Sequence, residues 1–403
     1  MSVKIYVDEQ YVASLNAAIA AADDAMRDLT KLGGVYLDNA VVAVDVKSAA
    51  YGIFDADGNF ITESLKYRGD RHQVVPKYKK IKNPPYMDVD AVYLGNIYPH
   101  FGHFMLEHMD RAWAYVRAKN PDLHVVFINN RGMDVPAYVY EFMKMLGVPK
   151  SHVIVLDKSA RFRHLIVPPQ SFFMKRRAYP EFSIGFRAMA DNVKNPAHVY
   201  DKIYMSRAKL PVGKKTHGEE YVQKIFEKNG FHVVYPETMS LTDQVAIVKN
   251  ARVMAGCAGT ALHLALFMRN GGTVIQLKRN TRPGDSSYDQ YVLNTVSGHD
   301  SVFVSASIEP HPSRHSDAIP QIIGVTDSLR RFFDDNGYKY TARDVTTPAA
   351  AWDEYNDALG EFRRTHGGFF YKKFKHFFIK IAAGLVPGRV NRRNLRHWLK
   401  EHM

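Results

Sequence analysis

A histidine and a glutamate four residues apart have the spacing needed for proton transfer. His103 and Glu107 follow the run Asn96-Ile-Tyr-Pro-His-Phe-Gly102. On a helix, residues at this spacing share one face. Glu107 would then orient His103 and stabilise its charge as it accepts a proton, or Glu107 is itself the base. The structural alternative has His103 packed behind a strand and Glu107 solvated. Three more titratable residues lie in this segment: His100, His108 and Asp110.

A second stretch has the pattern of a phosphate-binding turn. Arg252-Val-Met-Ala255 is typical of a short buried strand, Gly256-Cys-Ala-Gly259 of a tight turn, and Thr260 of the N-cap of an apolar helix over Ala261 to Met268. Free amides and the helix dipole favour an anionic group there, and the glycines permit close approach. The turn matches neither the dinucleotide nor the P-loop pattern. Simple packing of the turn is the alternative.

Cationic residues precede this turn. Arg207 ends the strand-like run Lys202-Ile-Tyr-Met-Ser-Arg207, and a guanidinium there can hold two phosphate oxygens at once. Glu237, after Tyr-Pro, is a candidate for contact with ribose hydroxyls. A solvated basic loop is the alternative for the lysines that follow Arg207. Three lysines in that loop are candidates to close over a diphosphate: Lys209, Lys214 and Lys215.

The ordered set of motifs resembles glycosyltransferase family 61. Its later members are Tyr204-Met-Ser-Arg207, Lys214 and Lys215, Glu219 and Glu220, Gly230 to Pro236, Ser240-Leu241, Gln244 and the glycine turn. The run from Asn96 to Glu107 is similar to that family's other signature, a histidine followed four residues later by a carboxylate. Together the matched segments span residues 90–280.

The resemblance implies a GT-B architecture, in which two Rossmann-like α/β domains face a cleft. It also implies a nucleotide-sugar donor, a saccharide or lipid-linked acceptor, and transfer with inversion and without a metal or other cofactor. The catalytic residues would be His103 and Glu107. The donor site would use Arg207, Lys209, Lys215, Glu237, Gly256, Gly259 and Thr260.

Two positions depart from the family's pattern. The family usually has aspartate where this chain has Glu107. Relatives commonly show Gly-Pro-His-Gly-Ala at the turn, whereas this chain has Gly256-Cys-Ala-Gly-Thr260, with Ala258 in place of the histidine. More of the diphosphate contact would fall on backbone amides and Thr260. The missing histidine also leaves open a non-catalytic subunit that binds a sugar nucleotide or polysaccharide. His263, one turn into the helix, is expected to be packed.

Strands alternating with helices predict an α/β fold, and 403 residues favour more than one domain. A parallel sheet is expected in the first domain, a helix from Phe101 to Arg117, and an irregular connection from Pro180 to Pro196. A helix over Trp352 to Arg364 is expected to return to the first domain. The predicted divisions are residues 1–190, an acceptor-side domain; 191–345, a nucleotide-sugar-binding domain; and 346–403, a crossover helix with a basic tail.

Composition restricts the setting. The single cysteine, Cys257, excludes an internal disulfide framework, fits a reducing cytosol, and is expected to be a small buried spacer. No apolar run approaches the roughly 20 residues that cross a membrane, and the first residues lack the order of a secretion signal. These features predict a cytoplasmic protein, and with the resemblance a bacterial enzyme of capsule or other surface polysaccharide synthesis.

The net charge of +13 is concentrated at the end of the chain, where residues 370–403 carry nine lysines and arginines and one acid, Glu401. Aromatic and aliphatic residues alternate with them, which favours docking on an anionic membrane surface, with packing on the protein itself as the alternative. The rest of the chain is too mildly basic for a nucleic-acid groove. Asp88-Val-Asp90 fits a D-x-D metal pattern but lies upstream of a strand, so no metal site is expected.

Overall fold

The computed structural model describes residues 1–211, 215–269, 271–280, 287–308 and 319–366, without the side chain of His366. Lys214 and the basic tail 370–403 lie outside the described residues.

The strands are β1 (Val3–Tyr6), β2 (Val35–Asp38), β3 (Val41–Asp45), β4 (Ala50–Phe54), β5 (Tyr67–Arg68), β6 (Arg71–His72), β7 (Tyr86–Asn96), β8 (His124–Ile128), β9 (Val153–Leu156), β10 (Ala160–Val167), β11 (Phe172–Phe173), β12 (Arg177–Ala178), β13 (Lys202–Met205), β14 (Thr216–His217), β15 (His232–Val234), β16 (Val253–Cys257), β17 (Thr273–Lys278), β18 (Asp300–Ser305) and β19 (Gln321–Ile322). The helices are α1 (Glu9–Met26), α2 (Phe101–His103), α3 (Ala112–Ala118), α4 (Ala137–Leu146), α5 (Phe182–Asn192), α6 (Glu219–Lys228), α7 (Leu241–Val248), α8 (Ser287–Ser297), α9 (Asp327–Asp335) and α10 (Ala349–His366). A π-helical turn spans Phe104–His108, and a 3-10 helix spans Thr260–Phe267.

The first sheet is mixed, with the order β4-β3-β10-β7-β8-β9 and β2 also paired with β10. Strands β10, β7, β8 and β9 are parallel, whereas β2 and β3 run antiparallel to β10. The prediction of a parallel sheet is therefore wrong for the side of this sheet that contains β2, β3 and β4. Strand β10 was not predicted, because the charged residues Arg161 and Arg163 interrupt its apolar pattern. Only its packing in the sheet, with Phe162 fully buried, reveals it.

The second sheet has the order β1-β18-β17-β16-β13-β15, and every pair in it is parallel. Its edge strand β1 comes from the start of the chain, and Tyr6 at its end packs edge-on against Phe332, with ring centroids 5.4 Å apart. Helix α1 packs on α8 of the same half. The first 26 residues thus accompany the second sheet, whereas the predicted division assigned residues 1–190 to the first domain.

One hydrophobic core runs between the two sheets. Residues of α3, α4 and α5 pack in a single cluster with residues of α7, α8 and the 3-10 helix. The rings of Phe186 and Phe267 meet across this boundary, with centroids 5.3 Å apart. Burying one such phenylalanine stabilises the fold by about 2 to 3 kcal/mol. Helix α5 replaces the irregular connection predicted for Pro180 to Pro196, and it holds the two halves side by side.

Helix α10 begins near the predicted Trp352 but packs elsewhere. Its buried residues Ala351 and Tyr355 lie in a cluster with Ile319 and Ile322. These partners belong to the second half of the chain, whereas a return to the first domain was predicted. Among the described helices, none has both the length and the apolar character required to span a bilayer.

Candidate functional site

The segment that carries His103 and Glu107 is an irregular helix. The sequence predicted one continuous helix from Phe101 to Arg117, but α2 passes into a π-helical turn, closed by a hydrogen bond of 3.0 Å from Met109 N to Phe104 O. Helix α3 begins only at Ala112. Every side chain from Phe104 to His108 is buried, so the core rather than helical periodicity sets this geometry. Such turns are frequent at functional sites.

His103 and Glu107 form a hydrogen-bonded pair, with Nδ1 2.5 Å from Oε2. Glu107 is only 3% exposed. Burial acts to raise the pKa of Glu107, but the His103 hydrogen bond and the charges of Lys66 and Arg68 outweigh it and lower that pKa. In the tautomer with its proton on Nδ1, His103 donates this hydrogen bond to Glu107, and Nε2 is the acceptor nitrogen. This geometry supports His103 as the base and Glu107 as its orienting partner.

Arg68 was not predicted, yet it lies against both members of the pair. Its Nη2 is 3.4 Å from His103 Nε2, and its Nε is 3.7 Å from Glu107 Oε1. Arg68 lies 35 residues upstream on β5, and no motif in the sequence links it to the histidine. Only the tertiary structure identifies it.

A buried ionic cluster holds the Arg68 segment against the helical segment that carries His103. Lys66 Nζ lies 3.0 Å from Asp110 Oδ2, and Arg111 Nη1 lies 3.5 Å from Asp110 Oδ1. Burial lowers the pKa of Lys66 and raises that of Asp110, while their mutual attraction opposes both shifts. Arg111, fully buried, donates hydrogen bonds to the carbonyls of Leu65 and Pro168, at 2.7 and 2.9 Å. These contacts fix the chain immediately before Arg68.

The predicted phosphate turn has a different local structure. Strand β16 continues through Gly256, where a Cβ would lie 2.7 Å from the Met205 carbonyl oxygen. Gly256 therefore permits close packing of neighbouring strands. The following helix is a 3-10 helix, and Gly259 occupies its N-cap position, so the prediction that Thr260 is the N-cap is wrong. Thr260 is the first residue of that helix.

The turn touches both the helical segment that carries His103 and Arg207. A Cβ on Gly102 would lie 2.8 Å from Thr260 Oγ1, and a Cβ on Gly259 would lie 3.0 Å from Arg207 Nη1. Gly102 immediately precedes His103. The structure thus brings together the histidine, the turn and the guanidinium at the carboxyl ends of β13 and β16, the edge at which parallel sheets commonly bind ligands.

Arg279 is a further cation at this edge that the sequence analysis missed. It follows β17, the neighbour of β16, and its Nε donates to the Ala258 carbonyl at 2.8 Å. Its position directly after a strand of a parallel series is a signal that could have found it. Ala258 is the position at which the resemblance led us to expect a histidine, so a guanidinium lies beside it.

The remaining donor-site candidates are not all at the turn. Lys209 follows β13, and its Nζ lies 3.9 Å from the ring centroid of Tyr235. Glu237 is exposed on a short turn after β15, the edge strand. The ammonium of Lys215 lies 2.6 Å from Glu354 on α10 and 3.7 Å from Glu220, so it is held by those carboxylates.

Glu219, which the sequence includes only as a member of the ordered set of motifs, is fully buried beneath this edge. Tyr204 Oη donates to its Oε1 at 3.3 Å, and the Arg207 backbone N–H also binds the carboxyl group. Burial raises the pKa of Glu219 to about 7, although the Arg207 charge opposes the shift. Burial also raises the pKa of the neighbouring Cys257 thiol, consistent with a buried spacer.

Other titratable residues of the predicted set are structural. His263 is packed, as predicted: its Nδ1 lies 3.0 Å from Gln290 Oε1, and burial lowers its pKa to about 4. His108 stacks on Tyr98 with ring centroids 5.5 Å apart. Asp88 and Asp90 of the D-x-D pattern both lie 2.9 Å from the Arg163 guanidinium. Within the described ranges, no cluster of three or more metal-ligating side chains is present.

The fold and this site are consistent with an α/β glycosyltransferase. The model of the family Glycosyltransferase 61 matches residues 101–275, from α2 to β17. This match supports the resemblance drawn from the motifs, and it covers His103, Glu107, Arg207 and the glycine turn. No curated protein matches the chain.

Lys66→Met should leave the Asp110 carboxylate buried without its ammonium partner and lower the free energy of unfolding by about 3 to 5 kcal/mol. Urea unfolding followed by tryptophan fluorescence measures the loss. Arg163→Met, which breaks an exposed ion pair, should cost about 1 kcal/mol or less. Equal losses in the two variants would show that the buried cluster does not anchor this segment.

Glu219→Gln should change how stability depends on pH. The folded-state pKa of about 7 lies above the ordinary value of 4.5. Between these values the folded protein binds a proton that the unfolded chain lacks, so stability falls as pH rises, by up to about 3 kcal/mol. The glutamine variant should lose this contribution, whereas Glu220→Gln, at the less buried neighbour, should retain it. Urea unfolding from pH 4.5 to 8 tests this, and identical slopes in all three proteins would refute it.

Proposed function

We propose that the protein is a family 61 glycosyltransferase that moves a sugar from a nucleotide-sugar donor to a saccharide or lipid-linked acceptor, with inversion and without a metal ion. The observation that carries the proposal is the contact between Thr260 and Gly102. Because Gly102 precedes His103, this contact places the histidine beside the glycine turn, whose amides suit an anionic leaving group. A GT-B arrangement of the two sheets belongs to the same proposal.

In the proposed reaction, His103 Nε2 removes the proton from the acceptor hydroxyl as its oxygen attacks the anomeric carbon. The bond from that carbon to the donor diphosphate breaks, and the electron pair leaves with the diphosphate. The proton remains on the imidazole, whose positive charge Glu107 stabilises at 2.5 Å. General base catalysis of this kind contributes roughly 10² to 10⁴-fold in rate.

The leaving diphosphate is assigned to the carboxyl ends of the second sheet. Arg207, over Gly259, offers two N–H donors, and the amides of the turn offer others. Arg279 adds a second guanidinium beside Ala258. Two guanidinium groups can balance the negative charge that develops on the diphosphate, the role a divalent cation plays elsewhere. Lys209 and Glu237 are assigned to the nucleotide side.

The residue substitution at the turn supports a second candidate. Ala258 lacks the imidazole that relatives commonly place there, so a subunit that binds a sugar nucleotide or polysaccharide without turnover is the alternative function. We further propose a cytoplasmic setting in bacterial capsule or other surface polysaccharide synthesis.

Arg207→Ala should weaken binding of nucleoside diphosphates about 10- to 100-fold, because a hydrogen bond to a charged group contributes about 1.5 to 3 kcal/mol. His103→Ala and Glu107→Ala should leave that binding intact and lower transfer by about 10² to 10⁴-fold. Thermal shift with a panel of nucleotide sugars identifies the donor, since a bound ligand raises apparent stability. Calorimetry and a transfer or donor-hydrolysis assay then separate the two effects.

Arg163→Ala and His164→Ala, both at exposed positions of the first half, serve as controls and should change neither quantity. EDTA should leave turnover unchanged, and collapse on chelation would refute the metal-free mechanism. Donor binding without transfer or hydrolysis for any acceptor would favour the non-catalytic alternative. Full transfer by both His103→Ala and Glu107→Ala would remove the pair from catalysis.

The tail, residues 370–403, is proposed to dock on an anionic membrane surface through its basic and aromatic residues. Deleting it should abolish sedimentation with phosphatidylserine vesicles and leave binding to neutral vesicles at background. Equal sedimentation of the intact and truncated proteins would refute the proposal.

A further inference from the structure

A cationic and aromatic rim borders His103 on the side of the first sheet. It is formed by the β5–β6 hairpin and the loop that joins β11 to β12. Neither element contributed to the predicted site. The rim's cations are Arg68, Arg71, Lys175, Arg176 and Arg177, and its aromatic members are Tyr67, Phe173 and Tyr179.

Direct contacts join these side chains into one surface. Asp70 forms an ion pair with Arg176 across the two elements. The rings of Tyr67 and Phe173 have centroids 6.3 Å apart, and the Arg177 guanidinium lies 5.2 Å from the Phe173 centroid. The rim reaches the catalytic pair through Arg68, since Arg68 Nη2 is 3.4 Å from His103 Nε2.

Hydrogen bonds to residues outside the rim hold both of its elements in place. Gln170, only 4% exposed, accepts a hydrogen bond from Tyr67 N at 2.8 Å and donates one to Tyr67 O at 3.1 Å. The other loop is held by α8 of the second half: Lys175 N donates to Asp289 Oδ1 at 2.6 Å, and Tyr288 Oη donates to Arg176 O at 2.6 Å. A ligand on the rim would therefore meet preorganised groups, which reduces the entropic cost of binding.

The charge of the rim is unbalanced. Asp70 is its one exposed carboxylate, and that group is engaged by Arg176. No carboxylate of the described residues lies within salt-bridge distance of the Arg71 guanidinium or the Lys175 ammonium, and both side chains are exposed. Several positively charged side chains beside His103 create a positive potential that attracts an anionic group. The exposed ring of Tyr67 at the same place suits the apolar face of a sugar ring.

We propose that the acceptor carries an anionic group, a carboxylate or a phosphate, close to the hydroxyl that is glycosylated, and that this rim binds it. The inference rests on the proposed function. The base must contact the acceptor hydroxyl, so the groups around His103 Nε2 face the acceptor. The donor diphosphate, by contrast, is assigned to the strand ends of the second sheet. Arg71 and Lys175 bind the anion, while Arg68 also positions the catalytic pair.

The anionic group has two possible sources. An acidic sugar of the acceptor chain supplies a carboxylate, whereas a lipid-linked acceptor supplies a diphosphate next to its first sugar. Both present the same chemistry to guanidinium and ammonium groups. Separate probes are therefore needed to tell these sources apart.

The experiment measures binding of three probes to the full chain by calorimetry at low ionic strength. They are a tetrasaccharide of alternating glucuronic acid and N-acetylglucosamine, its carboxyl-reduced counterpart, and decyl diphosphate. At least one anionic probe should bind about tenfold more tightly than the neutral saccharide, as expected for a charged hydrogen bond. Preference for the tetrasaccharide identifies an acidic sugar, and preference for decyl diphosphate identifies a lipid link. Equal or absent binding of all three probes would overturn the proposal.

The double variant Arg71→Ala/Lys175→Ala should lose the preference and keep its affinity for nucleoside diphosphates. Arg330→Ala/Lys339→Ala removes the same two charges from exposed positions at and after α9, and it should retain the preference. If both double variants lose the preference for the anionic probe equally, the preference depends only on net charge, and the proposed rim site is wrong. Nucleoside diphosphate binding through Arg207 tests the proposed function separately. If the unmodified protein binds no nucleoside diphosphate, the proposed function itself is wrong.

Discussion

The cluster of Lys66, Asp110 and Arg111 is the constraint on which the site depends. Each group is buried, and removing a charge from water is costly unless a partner compensates it. The cluster satisfies this requirement only when the chain before β5 lies against the end of the helical segment that carries His103. Arg111 reinforces the arrangement by binding the Leu65 and Pro168 carbonyls. The positions of Arg68 and of the β5–β6 part of the rim are consequences of this docking, because these residues follow Lys66 directly in the chain.

The second constraint is the close approach of the two halves. Gly102 lacks the Cβ that would clash with Thr260, so the backbone of the segment that carries His103 packs directly on the Thr260 side chain of the second half. The core shared by α5, α8 and the 3-10 helix maintains this distance. A rigid boundary of this kind suits a reaction in which a base and a leaving-group site must remain within a few ångströms of each other.

Two buried glutamates on opposite sides of the site have opposite electrostatics. Glu107 receives a hydrogen bond from His103 and lies near Lys66 and Arg68, so its pKa is lowered despite burial. Glu219 lies against Tyr204 and Cys257, and burial prevails, which raises its pKa to about 7. The first is therefore suited to stabilise a charged imidazolium. Glu219 accepts a hydrogen bond from the Arg207 backbone N–H, and when it is protonated it places no negative charge beside that residue. Environment, more than residue type, separates their roles.

The sequence by itself determined the α/β class, the strands that precede Arg207 and the glycine turn, and the candidates His103, Glu107, Arg207, Gly259 and Thr260. These features depend on local periodicity and on short motifs, which neighbouring residues encode. Only the tertiary structure decided that β1 pairs in the second sheet, that residues 104–108 form a π-helical turn, and that Lys215 pairs with Glu354. It also decided the positions of Arg68 and Arg279. These depend on contacts between residues distant in the chain, where burial and charge compensation outweigh local preference.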